Sequence, residues 1–79
     1  NFVVQYFLKQ GQVSFPECMM LLNTLPVPPK EKAAQLRKMD HLVREKKIKL
    51  RHNYWEENMA AARIHEWENQ ASGEETSGS

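Results

Sequence analysis

The chain has one cysteine, Cys18. That excludes an internal disulfide framework and any zinc site built on paired thiolates, and it suits a reducing, intracellular compartment. Glycine is equally scarce, with Gly11, Gly73 and Gly78 the full set of three. No glycine-rich loop can therefore cradle a phosphate ahead of a helix. No apolar run approaches the roughly 18 residues that a membrane-spanning helix needs, and the longest after Pro16 is Cys18 to Leu22. The first residues lack the charged start and small-residue cleavage site of a signal peptide. A start at Asn1 in place of methionine suggests a processed chain or a piece of something larger. His41, His52 and His65 never fall on neighbouring turns of one helix. His65-Glu66 begins like a zinc-protease pair, but Asn69 stands where the second histidine is required. With no metal ligands, no cofactor motif and no catalytic constellation, the expectation is a protein without enzymatic activity that works by contact.

What is present is helix-forming. All four prolines lie at or before Pro29, and between Pro29 and Gly73 no glycine or proline interrupts a dense run of charged, aliphatic and aromatic residues. Proline is tolerated in a first helical turn and glycine is a natural stop. The run therefore reads as one long helix or as two in near succession, over 30–47 and 53–70. Stepping by three and four from Leu36 gives Met39, Val43, Lys46, Leu50, Asn53, Glu57, Ala60, Ile64 and Trp67. The seam breaks at Lys46, Asn53 and Glu57, so this is no continuous coiled coil. Asp40 with Arg44 and Glu45 with Lys49 are spaced for i,i+4 ion pairs, and Arg63 is spaced to stack on Trp67.

Upstream, Phe2, Val3, Tyr6, Phe7 and Gln10 share one helical stripe that Gly11 would end. The alternation Phe2, Val4, Tyr6, Leu8 leaves a strand as the rival. Ser14-Phe15-Pro16-Glu17 has the form of a capping box, with Val13 and Cys18 at the staple positions. It opens a second helix over 15–25, with Cys18, Leu21, Leu22 and Leu25 on its apolar face and Met19 beside them. Pro26 ends it. Leu25 to Pro29 should be a semi-rigid linker. The expected fold is all-α: a small bundle of three to four helices with one long C-terminal helical region, forming a single domain over 1–70. Ala71 to Ser79, rich in Ser, Gly and Glu, should be a disordered polar tail.

Charge is the feature that composition alone would hide. Lys30 to His52 holds nine Lys/Arg and three Asp/Glu, a net of +6, whereas Asn53 to Ser79 holds one and six, a net of −5. The whole chain is only +1. Such a split is satisfied by a hairpin that reverses near Asn53, by a foreign partner, or by two copies laid antiparallel, and the broken seam disfavours the last. Arg37, Lys38, Arg44, Lys46, Lys47, Lys49 and Arg51 are dense enough to lie along phosphates, so RNA or DNA is a candidate partner through 30–52. A merely solvated face is the competing reading. Trp55, Met59 and Trp67 are the candidate anchors for other protein subunits. The role these features suggest is a helical interaction module within a larger, nucleic-acid-containing assembly.

Residues 3–51 also resemble a winged helix-turn-helix. A first helix is followed by the turn Gly11 to Phe15 with Val13 in a short strand, a second helix from Pro16, and a third carrying Leu36, Met39, Leu42 and Val43. The alternating Lys47-Ile48-Lys49-Leu50-Arg51 stands where the first wing strand would be. The resemblance implies an α+β alternative fold followed by a C-terminal helix, and a DNA- or RNA-binding role in transcription. The third helix would enter the major groove and the wing would touch the backbone, through Arg37, Lys38, Lys49 and Arg51. The proline-rich linker departs from the usual tight turn between helices two and three, and no second wing strand or wing glycine follows Arg51.

Overall fold

A computed structural model describes residues 2–78, with side chains through Ala71. The order of elements is α1 (Phe2–Gln10), β1 (Gln12–Val13), α2 (Phe15–Thr24), α3 (Pro29–Arg44), β2 (Lys49–Leu50), a 3-10 turn (Arg51–Asn53) and α4 (Glu57–Gly78). At 76% helix the fold is mainly helical, as the glycine-poor sequence requires, with a minimal two-stranded sheet added.

Local chemistry sets each boundary. Gly11 takes φ 82°, and its N–H donates to the Phe7 carbonyl at 2.9 Å, closing α1 in the left-handed conformation that glycine adopts without a Cβ penalty. Proline occupies the first turn of both α2 and α3, where a missing N–H costs nothing. α3 stops at Arg44, three residues short of the expected end, in a Schellman arrangement. Lys47 N–H donates to the Leu42 carbonyl at 2.9 Å and Lys46 N–H to the Val43 carbonyl at 3.1 Å. Lys46 itself takes the left-handed position, φ 57°. His52 and Asn53 are also left-handed, at φ 64° and 52°. The chain thus reverses between two helices where one straight rod was an alternative, and the breaks in the seam at Lys46 and Asn53 lie within the reversal.

Several expectations need correction. Ser14 sits at the N-cap of α2 with extended geometry, but its side chain makes no capping hydrogen bond. The staple residues Val13 and Cys18 are nonetheless both buried in the core. On α1 the buried stripe is Val3, Val4 and Phe7, and Phe2 and Tyr6 are exposed. The apolar face is therefore rotated from the expected one, because Val4 packs inward. Glu45 does not pair with Lys49, which lies beyond the helix end. It meets His41 at 2.6 Å and Lys47 at 3.3 Å instead. The backbone of α4 continues as helix past Gly73, where an interior glycine costs only about 1 kcal/mol. The tail expected at 71–79 lies, beyond Ala71, outside the described side chains.

α3 is the central helix and packs most extensively on α4. Its Ala33, Leu36 and Met39 join Val3, Phe7, Phe15, Leu22, Ile64 and Trp67 in one core. β1 and β2 pair in parallel, Gln12 opposite Lys49 and Val13 opposite Leu50, which fixes the segment after α3 beside the start of α2. Val13 and Leu50 turn toward the core, leaving Gln12 and Lys49 exposed. The two helices of split charge form a hairpin. Arg37 meets Glu68 at 2.6 Å, and Ala71, later in α4, shares a groove with Lys30 and Ala34, earlier in α3. An exposed pair of this kind is worth about 0.2–1 kcal/mol, so charge orients the hairpin and apolar burial holds it.

Candidate functional site

α3 buries Ala33, Gln35, Leu36 and Met39, so helical geometry turns Lys30, Ala34, Arg37, Lys38, His41 and Arg44 to the opposite side. All six are exposed. Along this outer face runs an open groove of about 680 Å³ between α3 and α4, with Ala34 and Ala71 in its lining and Arg37, Lys38, His41 and Glu68 around them. A second cavity of about 570 Å³ adjoins it through the shared residues Lys30 and Ala34, and extends to Phe2, Leu25, Val27 and Pro28. The result is an apolar surface edged by Lys30, Arg37 and Lys38, with Glu31 and Glu68 among them.

The seven basic residues named from sequence divide into two groups. Arg37 is engaged by Glu68, Arg44 Nε donates to Asp40 at 2.8 Å, and Lys47 lies 3.3 Å from Glu45. Lys38, Lys46, Lys49 and Arg51 are exposed and make no ion pair among the described residues. They do not form a single cluster. Lys38 lines the α3–α4 groove, whereas Arg51 borders a small polar cleft with Tyr6, Gln10, Ser14 and Glu17.

The three proposed protein anchors fare differently. Trp67 is 3% exposed and belongs to the core, flanked by the Arg63 guanidinium 4.7 Å from its ring centroid and by Lys32 Nζ at 5.9 Å. Trp55 is half-buried. Its Nε1–H donates to Asp40 Oδ1 at 2.9 Å, and its ring meets Phe15 edge-on with centroids 5.0 Å apart. Only Met59, 51% exposed, remains available to a partner. The correction has a simple cause: a domain this small has few large side chains with which to close its own core, and both tryptophans serve that end.

The groove lining went unread in the sequence, although one signal was present. Ala34 is a small apolar residue in the middle of a charged face, flanked one turn away by Lys30 on one side and Lys38 on the other. Ala71 and Phe2 carried no comparable signal, because their proximity to Ala34 depends on the hairpin and on the path of the linker.

No group of three or more His, Cys, Asp or Glu is placed to hold a metal ion among the described residues. No described helix is long and apolar enough to cross a membrane. Cys18 is fully buried, and burial, with a smaller contribution from the Glu17 carboxylate, pushes its thiol up from 9.0 to about 12. Below pH 9.0 the thiol is protonated in both the folded and unfolded states. Between 9.0 and about 12 only the unfolded thiol ionises, so stability falls as pH rises through that window. The native protein is expected to resist an aromatic disulfide reagent at pH 8 and to react stoichiometrically once denatured. Rapid labelling without denaturant would show the thiol to be accessible.

The chain matches no family model, no curated protein and no solved structure.

Proposed function

We propose that this protein is a non-enzymatic interaction module that contributes one docking face to a larger assembly, with nucleic acid among that assembly's components. One observation carries the reading. The outer face of α3 combines an apolar groove with basic side chains at its edge, outside the core and in a fold whose two tryptophans are committed to internal packing. Lys38, Lys46, Lys49 and Arg51, left without ion pairs among the described residues, are the cations available to phosphates.

A second reading, a winged-helix DNA binder, is favoured by one specific feature, the pairing of β1 with the β2 strand that holds Lys49 beside Arg51. Against it, α4 packs along α3 and its Glu68 engages Arg37, one of the two residues that would have to reach base edges.

Binding to duplex DNA and to structured RNA across a salt series tests both readings. The module reading expects sequence-independent, salt-sensitive binding, with Lys38→Ala, Lys49→Ala and Arg51→Ala each lowering the salt slope by about 1. Sequence-selective duplex binding that is lost in Arg37→Ala and Lys38→Ala supports the winged-helix reading instead. Absence of salt-sensitive binding to either polymer removes nucleic acid from both.

A further inference from the structure

We propose that the groove along the outer face of α3 receives an amphipathic helix with an acidic flank, supplied by a partner protein. This inference rests on the interaction-module reading and names the partner's chemistry.

Shape is the first argument. The two cavities share Lys30 and Ala34 in their lining, one reaching toward Phe2 and Pro28 and the other along α3 to His41. Along α3, Lys30 to His41 spans about 16 Å at 1.5 Å per residue, the length of three helical turns. Ala34 and Ala71 present only methyl groups, which lets a second helix axis come within the 8–10 Å of ordinary helix packing. Phe2, 63% exposed, stands at one end as a large apolar side chain still to be covered. These are the features of a groove that accepts a helix by its i, i+3, i+4, i+7 stripe.

Charge supplies the second argument. Arg37, Lys38 and His41 line the α3–α4 part of the groove, where Glu68 is already bound to Arg37 and Glu45 to His41, so Lys38 is the cation left for an occupant there; Glu31 lines the other part. Lys38 makes no ion pair among the described residues. An occupant with carboxylates beside its apolar stripe meets this edge, and a basic or neutral one does not. A phosphate backbone would match the cations but leave the apolar lining hydrated. A second copy of the chain is a poorer match. Its exposed apolar face on α1, Phe2, Tyr6 and Leu8, is accompanied by Lys9 and has no carboxylate, while the solvent side of α4 has carboxylates, Glu57 and Glu66, but only Met59 and the small Ala61 and Ala62 as apolar residues beside them.

The test uses the full chain and a fluorescent synthetic helix of about 14 residues, with leucines at stripe spacing and glutamates on both flanks. Anisotropy is read against a scrambled peptide of the same composition. Lys38→Glu is expected to weaken binding about tenfold by reversing the charge at the edge. Ala34→Arg, at an exposed position, should leave circular dichroism and melting unchanged and still weaken binding by about tenfold, although it adds a favourable charge, because it fills the groove. Equal binding of the scrambled peptide, or tighter binding to Ala34→Arg, would mean that attraction is purely electrostatic and would overturn the proposal. A dimer in sedimentation that Ala34→Arg dissociates would overturn it in favour of a second copy. If the peptide fails but nucleic-acid binding falls with Lys38→Glu, this inference fails while the interaction-module reading stands. If neither ligand responds to either substitution, both fall.

Discussion

Trp67→Ala is expected to destabilise the fold by about 3–5 kcal/mol, the range for removing a fully buried large aromatic. At 0.05–0.15 kcal/mol per residue, a chain of 79 residues has in all only about 4–12 kcal/mol of stability. The variant should therefore be partly unfolded at room temperature or melt well below the parent. The effect is large because Trp67 belongs to a single stripe, Ala60, Ile64, Trp67 and Ala71, by which α4 reaches the core. It also organises Arg63, which lies over the indole and hydrogen-bonds to Asn23 of α2, so the loss reaches beyond one helix pair. Trp55, held on Phe15 and Asp40, remains as a fluorescent probe of whatever structure survives. Met59→Ala, at a position 51% exposed, serves as the control and should change stability by no more than about 0.5 kcal/mol. A denaturant midpoint for Trp67→Ala close to that of Met59→Ala would mean that α4 does not close the core.

How far the sequence foretold this arrangement depends on the range of the interaction concerned. Boundaries written in backbone chemistry were legible. Gly11, Ser14-Phe15-Pro16 and Pro26 to Pro29 act within a turn or two of their own position, and they end or open helices where expected. The hairpin was legible more indirectly. A seam broken at Lys46, Asn53 and Glu57 and a charge that reverses across it both fit a chain that folds back, and α3 and α4 do pack on each other. What escaped was long-range. Both tryptophans look like exposed anchors in a charged sequence, yet Trp55 finds its partner 15 residues away in Asp40. Whether a cation is free or paired depends equally on the tertiary fold: Arg37 and Lys38 are neighbours in sequence, but only Arg37 reaches Glu68. The groove is the extreme case. Its lining draws on α1, the linker, α3 and α4, so no local pattern could announce it beyond the single alanine at position 34.

Gln35→Glu is expected to be the more damaging of two nearly isosteric changes at Gln35, the one buried polar residue among those whose side chains are described. Gln35 is 1% exposed, and its Oε1 accepts the Val3 N–H at 2.9 Å. That amide lies in the first turn of α1, where no carbonyl of the same helix can serve it, so α3 supplies the missing acceptor across the core. Gln35→Leu keeps much of the volume and removes the acceptor together with the amide's own N–H donors. It should cost about 1–3 kcal/mol, the penalty for leaving a buried donor unsatisfied. Gln35→Glu keeps an acceptor but places an ionisable carboxyl in an apolar setting, where the charged form is strongly disfavoured. Its folded-state pKa should therefore rise above the unfolded value of about 4.3. The sign follows: below that value both states are protonated and the variant is at its most stable, and as pH rises the unfolded state ionises while the buried group holds its proton, so stability falls. At pH 7 a shift of about two units costs roughly 2.7 kcal/mol, in addition to any loss from altered hydrogen bonding. Urea midpoints measured at pH 4 and pH 7 for parent, Gln35→Leu and Gln35→Glu decide the matter. Gln35→Leu should track the parent between the two pH values, while Gln35→Glu should lose ground selectively at pH 7. If Gln35→Glu shows the same pH dependence as the parent, its carboxyl has reached solvent, and the contact between α1 and α3 is looser than the Val3–Gln35 hydrogen bond implies.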